Sequence, residues 1–265
     1  MKTVLSIAGS DCSGGAGIQA DLKTIEAFGM YGMSVITAVV AENTYQVKDI
    51  AEVPVNNLAA QCDCVFQDIF PNAVKIGMTG SASVINMIAD KLSFYKPNNV
   101  VFDPVMAATA GKKLFQTNAL DVLKEKLLPH VDVLTPNLNE AEVLSGIKIS
   151  DRDSIKNAAY RISEFYKGIL LIKGGHLDEL GEKNICADLI YCGGKFEWIE
   201  SRRINNPNTH GTGCTLSTAI ACGLASGLEP IQAIKQAKKY LCNTLLFGLK
   251  LGHGNGPLYH KVLLD

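Results

Sequence analysis

The sequence predicts a three-layer α/β/α fold around a mostly parallel sheet, with a small antiparallel hairpin at one edge. Three observations carry this prediction. Short apolar, β-branched runs alternate with segments of helical periodicity, the pattern of a parallel sheet buried on both faces. Gly193-Gly194 separates two strand-like runs, 188–192 and 195–199, which is a two-residue hairpin signal. No repeat, linker or low-complexity stretch divides the 265 residues, so 1–265 reads as a single domain.

The elements follow in order. Residues 3–8 form a buried strand that ends in the loop Gly9-Ser10-Asp11-Cys12-Ser13-Gly14-Gly15-Ala16-Gly17. A helix over 18–28 sets Ile18, Leu22, Ile25 and Phe28 near one face, and 33–41 is a mainly apolar strand. A helix over 56–70 points Leu58, Cys62, Val65, Phe66 and Ile69 inward. A strand at 74–77, a helix at 83–95, a strand at 100–103 and a helix at 118–128 come next. The strand at 131–135 is broken by Pro136, and a short helix at 139–144 begins behind Asn139, a natural cap. A helix at 154–166 leads to the strand 169–173 and then to the hairpin. Helices at 212–225 and 230–247 and a glycine-rich tail close the chain.

Composition excludes several classes of function. The formal charge is −1 and no run of like charges occurs, which argues against nucleic acid and anionic membranes as partners. The longest apolar run, near 35–41, is too short to span a bilayer. Met1-Lys2-Thr3 leads straight into a strand without the long apolar region of a signal peptide, so a cytoplasmic protein is expected. The eight cysteines include no C-x-x-C pair. They read as reduced, mostly core residues, with Cys214 the exception.

In open parallel sheets, ligands sit beyond the carboxyl ends of the strands. The residues collected there are Gly9 and Asp11 with the 13–17 loop, Glu42-Asn43, Gly77-Met78, Asp103-Pro104, Asn137 to Glu140, Lys173-Gly174-Gly175-His176 and the loop His210-Gly211-Thr212-Gly213-Cys214. The last opens directly into an apolar helix. Either it is a glycine-containing turn that starts a core helix, or it is a phosphate site in which free N–H groups and the helix dipole meet an anion. Gly15-Ala16-Gly17-Ile18-Gln19-Ala20 also fits a dinucleotide fingerprint, which raises an NAD-dependent dehydrogenase as a rival. Against that rival, Asp11 stands where a pyrophosphate would lie. Phosphoryl transfer accounts for the set best, because the group in flight needs cations, Mg²⁺ and N–H donors held in place. Glu140 and Asp103 are the candidate Mg²⁺ ligands. Lys173 supplies a point charge, and Gly211, Thr212 and Gly213 supply backbone donors.

Several of these segments resemble a known family. Gly9 to Thr24, Lys75-Ile76-Gly77-Met78, Asp103-Pro104-Val105-Met106, Thr135-Pro136-Asn137 with Glu140, and Lys173-Gly174-Gly175-His176 are similar to hydroxymethylpyrimidine/phosphomethylpyrimidine kinases of thiamine biosynthesis. So are Asn208 to Thr215 and Gly252-His253-Gly254-x-Gly256-Pro257, and the likeness runs nearly end to end. The resemblance implies a ribokinase-like fold. It implies ATP-dependent phosphorylation of 4-amino-5-hydroxymethyl-2-methylpyrimidine, then of its monophosphate, and a homodimer. It also implies that Gly9, Ala16, Val40, Glu42, Met78, Val105 and Cys214 line the pyrimidine pocket, while Asn137, Glu140 and Lys173 face ATP and Mg²⁺.

Two departures stand out. The family usually carries Gln where Glu42 stands, and an ionised carboxylate accepts hydrogen bonds but cannot donate them. The segment Ala107 to Lys113 matches the family's mobile flap only loosely, with Lys112 as a helper at the phosphates. Related pyridoxal kinases, which phosphorylate a similar alcohol, are the alternative, either alone or in a dual-specificity enzyme. Many ribokinase-like enzymes place an aspartate base where Cys214 stands. A helix N-terminus lowers a thiol's pKa, so Cys214 is expected either to act as a thiolate base or only to shape the pocket.

Overall fold

The computed structural model describes residues 1–106, 119–175 and 184–262. The flap segment with Lys112, the helix start at Asn118, and His176 lie outside the described residues. The strands are β1 (Thr3–Asp11), β2 (Tyr31–Glu42), β3 (Val47–Glu52), β4 (Ala73–Ile76), β5 (Val100–Phe102), β6 (Val133–Leu134), β7 (Ile169–Ile172), β8 (Ile185–Cys192) and β9 (Lys195–Arg202). The helices are α1 (Gly17–Ala27), α2 (Val55–Asp68), α3 (Ala82–Tyr95), α4 (Ala119–Val122), α5 (Leu138–Ser145), α6 (Arg152–Ser163), α7 (Thr212–Ala225) and α8 (Pro230–Leu246). After α4 the chain passes through a π turn at Leu123–Leu127 and a 3-10 turn at Leu128–His130.

The strands form one sheet in the order β3-β2-β1-β4-β5-β6-β7-β8-β9. The six strands from β2 to β7 are parallel, as the alternating pattern predicts. β8 and β9 form the expected antiparallel hairpin. The opposite edge is antiparallel too, because β3 pairs with β2. That strand escapes sequence reading because it is mostly exposed and carries no apolar alternation.

Side-chain alternation along the strands builds two cores. Leu5, Ile7, Val74 and Ile76 face α2, α3, α5 and α6, whereas Val4, Ala73, Val101 and Leu171 face α1, α7 and α8. Leu58, Cys62 and Phe66 of α2 point inward as expected. Ile69 does not: the helix ends before it, and the side chain is 39% exposed. All eight cysteines are free thiols.

Strand order reverses between β1 and β4, where β2 lies on one side and β4 on the other. In sheets of this kind the crevice that takes a ligand lies beyond the carboxyl ends of the strands at such a point. The tail straps its rim. Thr44 Oγ1, just after β2, accepts the N–H groups of His253 (3.2 Å) and Gly254 (3.0 Å). His210 N–H donates to Gly256 O at 3.2 Å. His260 Nε2 lies 3.0 Å from Thr215 Oγ1 in the first turn of α7. Burial, and then the nearby Lys23 charge, hold the His260 imidazole down to about 4, so the ring that meets the threonine is neutral.

Candidate active site

The site is built around the first turn of α7. Its N-cap is Gly211 at φ +84°, and no side chain caps the helix. The amides at the start of a helix have no partners within it, so those of Gly213 and Cys214 face the crevice with the positive end of the dipole. The loop before α1 packs against this turn, but its amides are already in use. Asp11 Oδ2 accepts from Gly15 N (2.9 Å) and Ala16 N (2.7 Å), and Asp11 Oδ1 accepts from Ser13 N (2.7 Å). A pyrophosphate has no donors left there and meets a carboxylate instead, so the dinucleotide fingerprint is not a dinucleotide site. The amides without partners are those at the start of α7.

Parallel pairing brings the charged residues to the same place. Asp103, Asn137 and Lys173 follow the neighbouring strands β5, β6 and β7, and an isolated parallel bridge joins Asn137 to Lys173. Lys173 Nζ lies 2.5 Å from Asp103 Oδ1, which also accepts from Thr135 Oγ1 at 3.3 Å. A Cβ built on Gly213 would lie 3.1 Å from Asp103 Oδ2 and 3.4 Å from Lys173 Nζ. Helix terminus, ammonium and carboxylate therefore converge. Burial opposes the charge on Lys173, but the fields of Asp103 and Glu140 outweigh it and raise its pKa, so it is an ammonium at any working pH.

Asn137, not Asn139, caps α5. Its side chain accepts from Glu140 N at 2.9 Å, and Glu140 Oε2 accepts from Asn137 N at 2.8 Å, which makes a capping box. The cap falls two residues early because the bend at Pro136 leaves Asn137 extended (ψ 178°). Burial pushes the Glu140 carboxyl up to about 7; Lys173 opposes this and Asp103 adds to it. Two buried carboxylates therefore share one ammonium. Hard oxygen donors left short of positive charge fit a Mg²⁺ ion that keeps several waters.

Cys214 is half-buried, with its sulfur accepting from the N–H of Gly17. Burial pushes the thiol up to about 11, although the Lys75 ammonium pulls it down. Burial thus works against the helix-activated thiolate that the sequence suggests.

The remaining pocket residues lie on adjacent strand ends. Val40 pairs with Asp11 in the β1–β2 register, and a Cβ on Gly9 would lie 3.4 Å from Met78 Sδ. Thr37 Oγ1 holds Met78 O at 2.8 Å. Val105 N bonds back to Asp103 O at 2.8 Å, directly after β5. Ala16 is the N-cap of α1, and Thr212 is the first residue of α7. Glu42 ends β2, where its carboxylate, that of Asp11 and the His210 imidazole lie within 4.8 Å of one another.

Two features of the site are absent from the sequence reading. The first is the ion pair of His210 Nε2 with Asp11 Oδ2 at 2.9 Å, which ties the two glycine-rich loops together. The second lies beneath α7. Lys75 and Asp21 form an ion pair with both side chains 0% exposed, and Asp21 also accepts from Ser6 (2.5 Å) and Thr218 (2.7 Å). A lysine in the middle of the apolar strand Ala73–Ile76 was the available signal, since a charge there needs a partner.

Comparison with known proteins agrees with this geometry. A family model described as phosphomethylpyrimidine kinase matches residues 11–259. The chain is 46% identical over 263 residues (99% of it) to the thiamine biosynthesis bifunctional protein ThiED of Geobacter sulfurreducens. It spans about half, 53%, of that longer relative. It is 44% identical to the hydroxymethylpyrimidine/phosphomethylpyrimidine kinase of Haemophilus influenzae, covering 98% of this chain and 97% of that one. Among solved structures, an ADP complex of Bacillus subtilis pyridoxal kinase superposes with a TM-score of 0.89 at 34% identity, covering 98% of this chain and 97% of that one.

Proposed function

The chain belongs to the phosphomethylpyrimidine kinase family, phosphotransferases of thiamine biosynthesis, and from that premise we propose how its site works. ATP is the phosphoryl donor, as the ADP complex of the pyridoxal kinase relative supports. The acceptor is the hydroxymethyl group of 4-amino-5-hydroxymethyl-2-methylpyrimidine, and then the monophosphate that results. The resemblance extends the proposal to a homodimer. Among the described residues no helix is long and apolar enough to cross a membrane.

One observation carries the proposal: an uncapped helix terminus meets a lysine–carboxylate pair beyond the carboxyl ends of β5 and β7. Lys173 would place its charge on the phosphoryl group, and the turn Gly211–Thr212–Gly213 would hold the amides of Gly213 and Cys214 toward the same oxygens. Asp103 and Glu140 would hold Mg²⁺, which neutralises phosphate charge when bound. Asn137 serves ATP indirectly, by fixing Glu140 through the capping box. Gly9, Ala16, Val40, Met78 and Val105 would wall the pyrimidine.

Cys214 shapes this pocket rather than acting as its base. In a loose transition state the acceptor oxygen keeps its proton until late, so little base strength is required. Cys214→Ala is therefore expected to keep kcat within about tenfold of the parent, since positioning and charge carry the catalysis. A loss beyond a hundredfold in steady-state assays would return the thiol to the mechanism.

The substrate assignment is tested by comparing kcat/KM for the aminopyrimidine with that for pyridoxal, using purified protein and Mg-ATP. The aminopyrimidine is expected to rank higher. The reverse order would make the chain a pyridoxal kinase, the reading its likeness to the B. subtilis structure supports.

A further inference from the structure

We propose that Asp21, Lys75 and Thr218 are positioning residues for phosphoryl transfer, a buried unit that sets where the first turn of α7 stands above the sheet. This rests on the phosphoryl site proposed above. Each of the three is 0% exposed, so none of them meets substrate, and each can act only through the residues it holds.

The unit follows from strand register. Ser6 of β1 pairs with Lys75 of β4. By alternation both share the face of Val4 and Ala73, the face that carries α1 and α7. The Lys75 side chain runs toward the carboxyl end of its strand. A Cβ on Gly77, two residues nearer that end, would lie 2.9 Å from Lys75 Nζ. The missing side chain at Gly77 leaves the ammonium its path. Asp21 meets that ammonium with both oxygens, at 2.9 and 2.7 Å. Burial opposes the charge on Lys75, but the field of Asp21 outweighs it and raises its pKa.

Asp21 does more than neutralise a lysine. Its Oδ2 also accepts from Ser6 Oγ at 2.5 Å, and its Oδ1 from Thr218 Oγ1 at 2.7 Å. Each oxygen therefore accepts two bonds, which fills the acceptor capacity of a carboxylate. One side chain of α1 thus joins β1, β4 and α7. Thr218 lies one helical turn beyond Cys214 on the same face of α7. The first turns of the two helices meet where the Gly17 N–H donates to the Cys214 sulfur. α7 is built largely of small residues, and packed helices of that kind can slide by small amounts. A hydrogen bond from Thr218 to a carboxylate tied to two strands removes that freedom. Sliding would carry the amides of Gly213 and Cys214 away from Lys173 and Asp103. A misplacement of about 1 Å can cost about a hundredfold in rate.

The test uses steady-state kinetics with Mg-ATP and the aminopyrimidine, beside thermal melts. Thr218→Val keeps the shape of the side chain and removes its donor. It should lower kcat about tenfold, with KM for Mg-ATP within about threefold and a melt close to that of the parent. Thr218→Ser restores the donor and should recover most of that loss. Ser6→Ala, Asp21→Leu and Lys75→Met combined remove both buried charges and the strand hydroxyl between them. Replacing a buried ion pair by apolar groups is often neutral for stability. This variant should melt near the parent and still lose about a hundredfold in kcat. A unit that serves stability alone predicts parental kcat in every folded variant. That result, or a Thr218→Ser protein no faster than Thr218→Val, overturns the inference. If the combined variant does not fold, the two Thr218 variants decide. Full activity of Lys173→Ala would instead overturn the phosphoryl site on which the inference rests.

Discussion

Lys173→Ala is expected to lower kcat by about a thousandfold, in line with removal of a charge aimed at a transferring phosphoryl group. Lys173 sits between two carboxylates and the helix terminus, with its Nζ 2.5 Å from Asp103 and its main-chain N–H fixed to Pro136 O at 2.8 Å. Both ends of the side chain are thus held before any substrate arrives. Without the ammonium, the Glu140 carboxyl loses the charge that opposes its protonation and is left beside Asp103 in a buried site. The phosphate site then loses a cation and gains repulsion. Lys173→Met keeps the aliphatic stem and should fall as far, which separates charge from packing. Steady-state kinetics beside a thermal melt decides the matter. Turnover near that of the parent, in a folded variant, removes Lys173 from the mechanism.

The sequence reading was strong wherever one short rule governs local structure. Alternating apolar periods predicted the parallel sheet, and Gly193-Gly194 predicted the β8–β9 hairpin. Lys173, Asp103 and Gly213 were legible because each follows a strand or opens a helix, and the sheet brings such positions together. Long-range partners were less legible. β3 is polar and gains its place only by pairing with β2. Asp11 and His210 are 199 residues apart, and nothing local to either announces the bond. Cys214 shows the limit of a local rule: the helix start is visible in sequence, whereas the burial that pushes the thiol up is a property of the folded chain.

The two glycines of the anion turn should fail in different ways when given a side chain. Gly211 adopts φ +84°, and a Cβ there would lie 1.9 Å from Gly15 O and 3.2 Å from Ala16 Cα. No rotation of a methyl group relieves a clash between two backbones. Gly211→Ala must therefore separate the loop before α1 from the start of α7, straining the His210–Asp11 bond that spans them. The expected cost is about 2–4 kcal/mol of stability together with a loss of activity beyond a hundredfold. Gly213 lies inside α7 without a positive φ, where alanine is the better helix former by about 1 kcal/mol. Its Cβ meets no backbone but stands 3.1 Å from Asp103 Oδ2 and 3.4 Å from Lys173 Nζ, in the gap a phosphoryl oxygen would occupy. Gly213→Ala should then melt no lower than the parent while kcat drops about a hundredfold. Thermal melts and kcat on the two variants separate fold from catalysis within three residues of sequence. A Gly211→Ala protein as stable as the parent would mean that the two loops do not pack as the structure places them. A fully active Gly213→Ala would mean that the transferring group passes elsewhere on the rim.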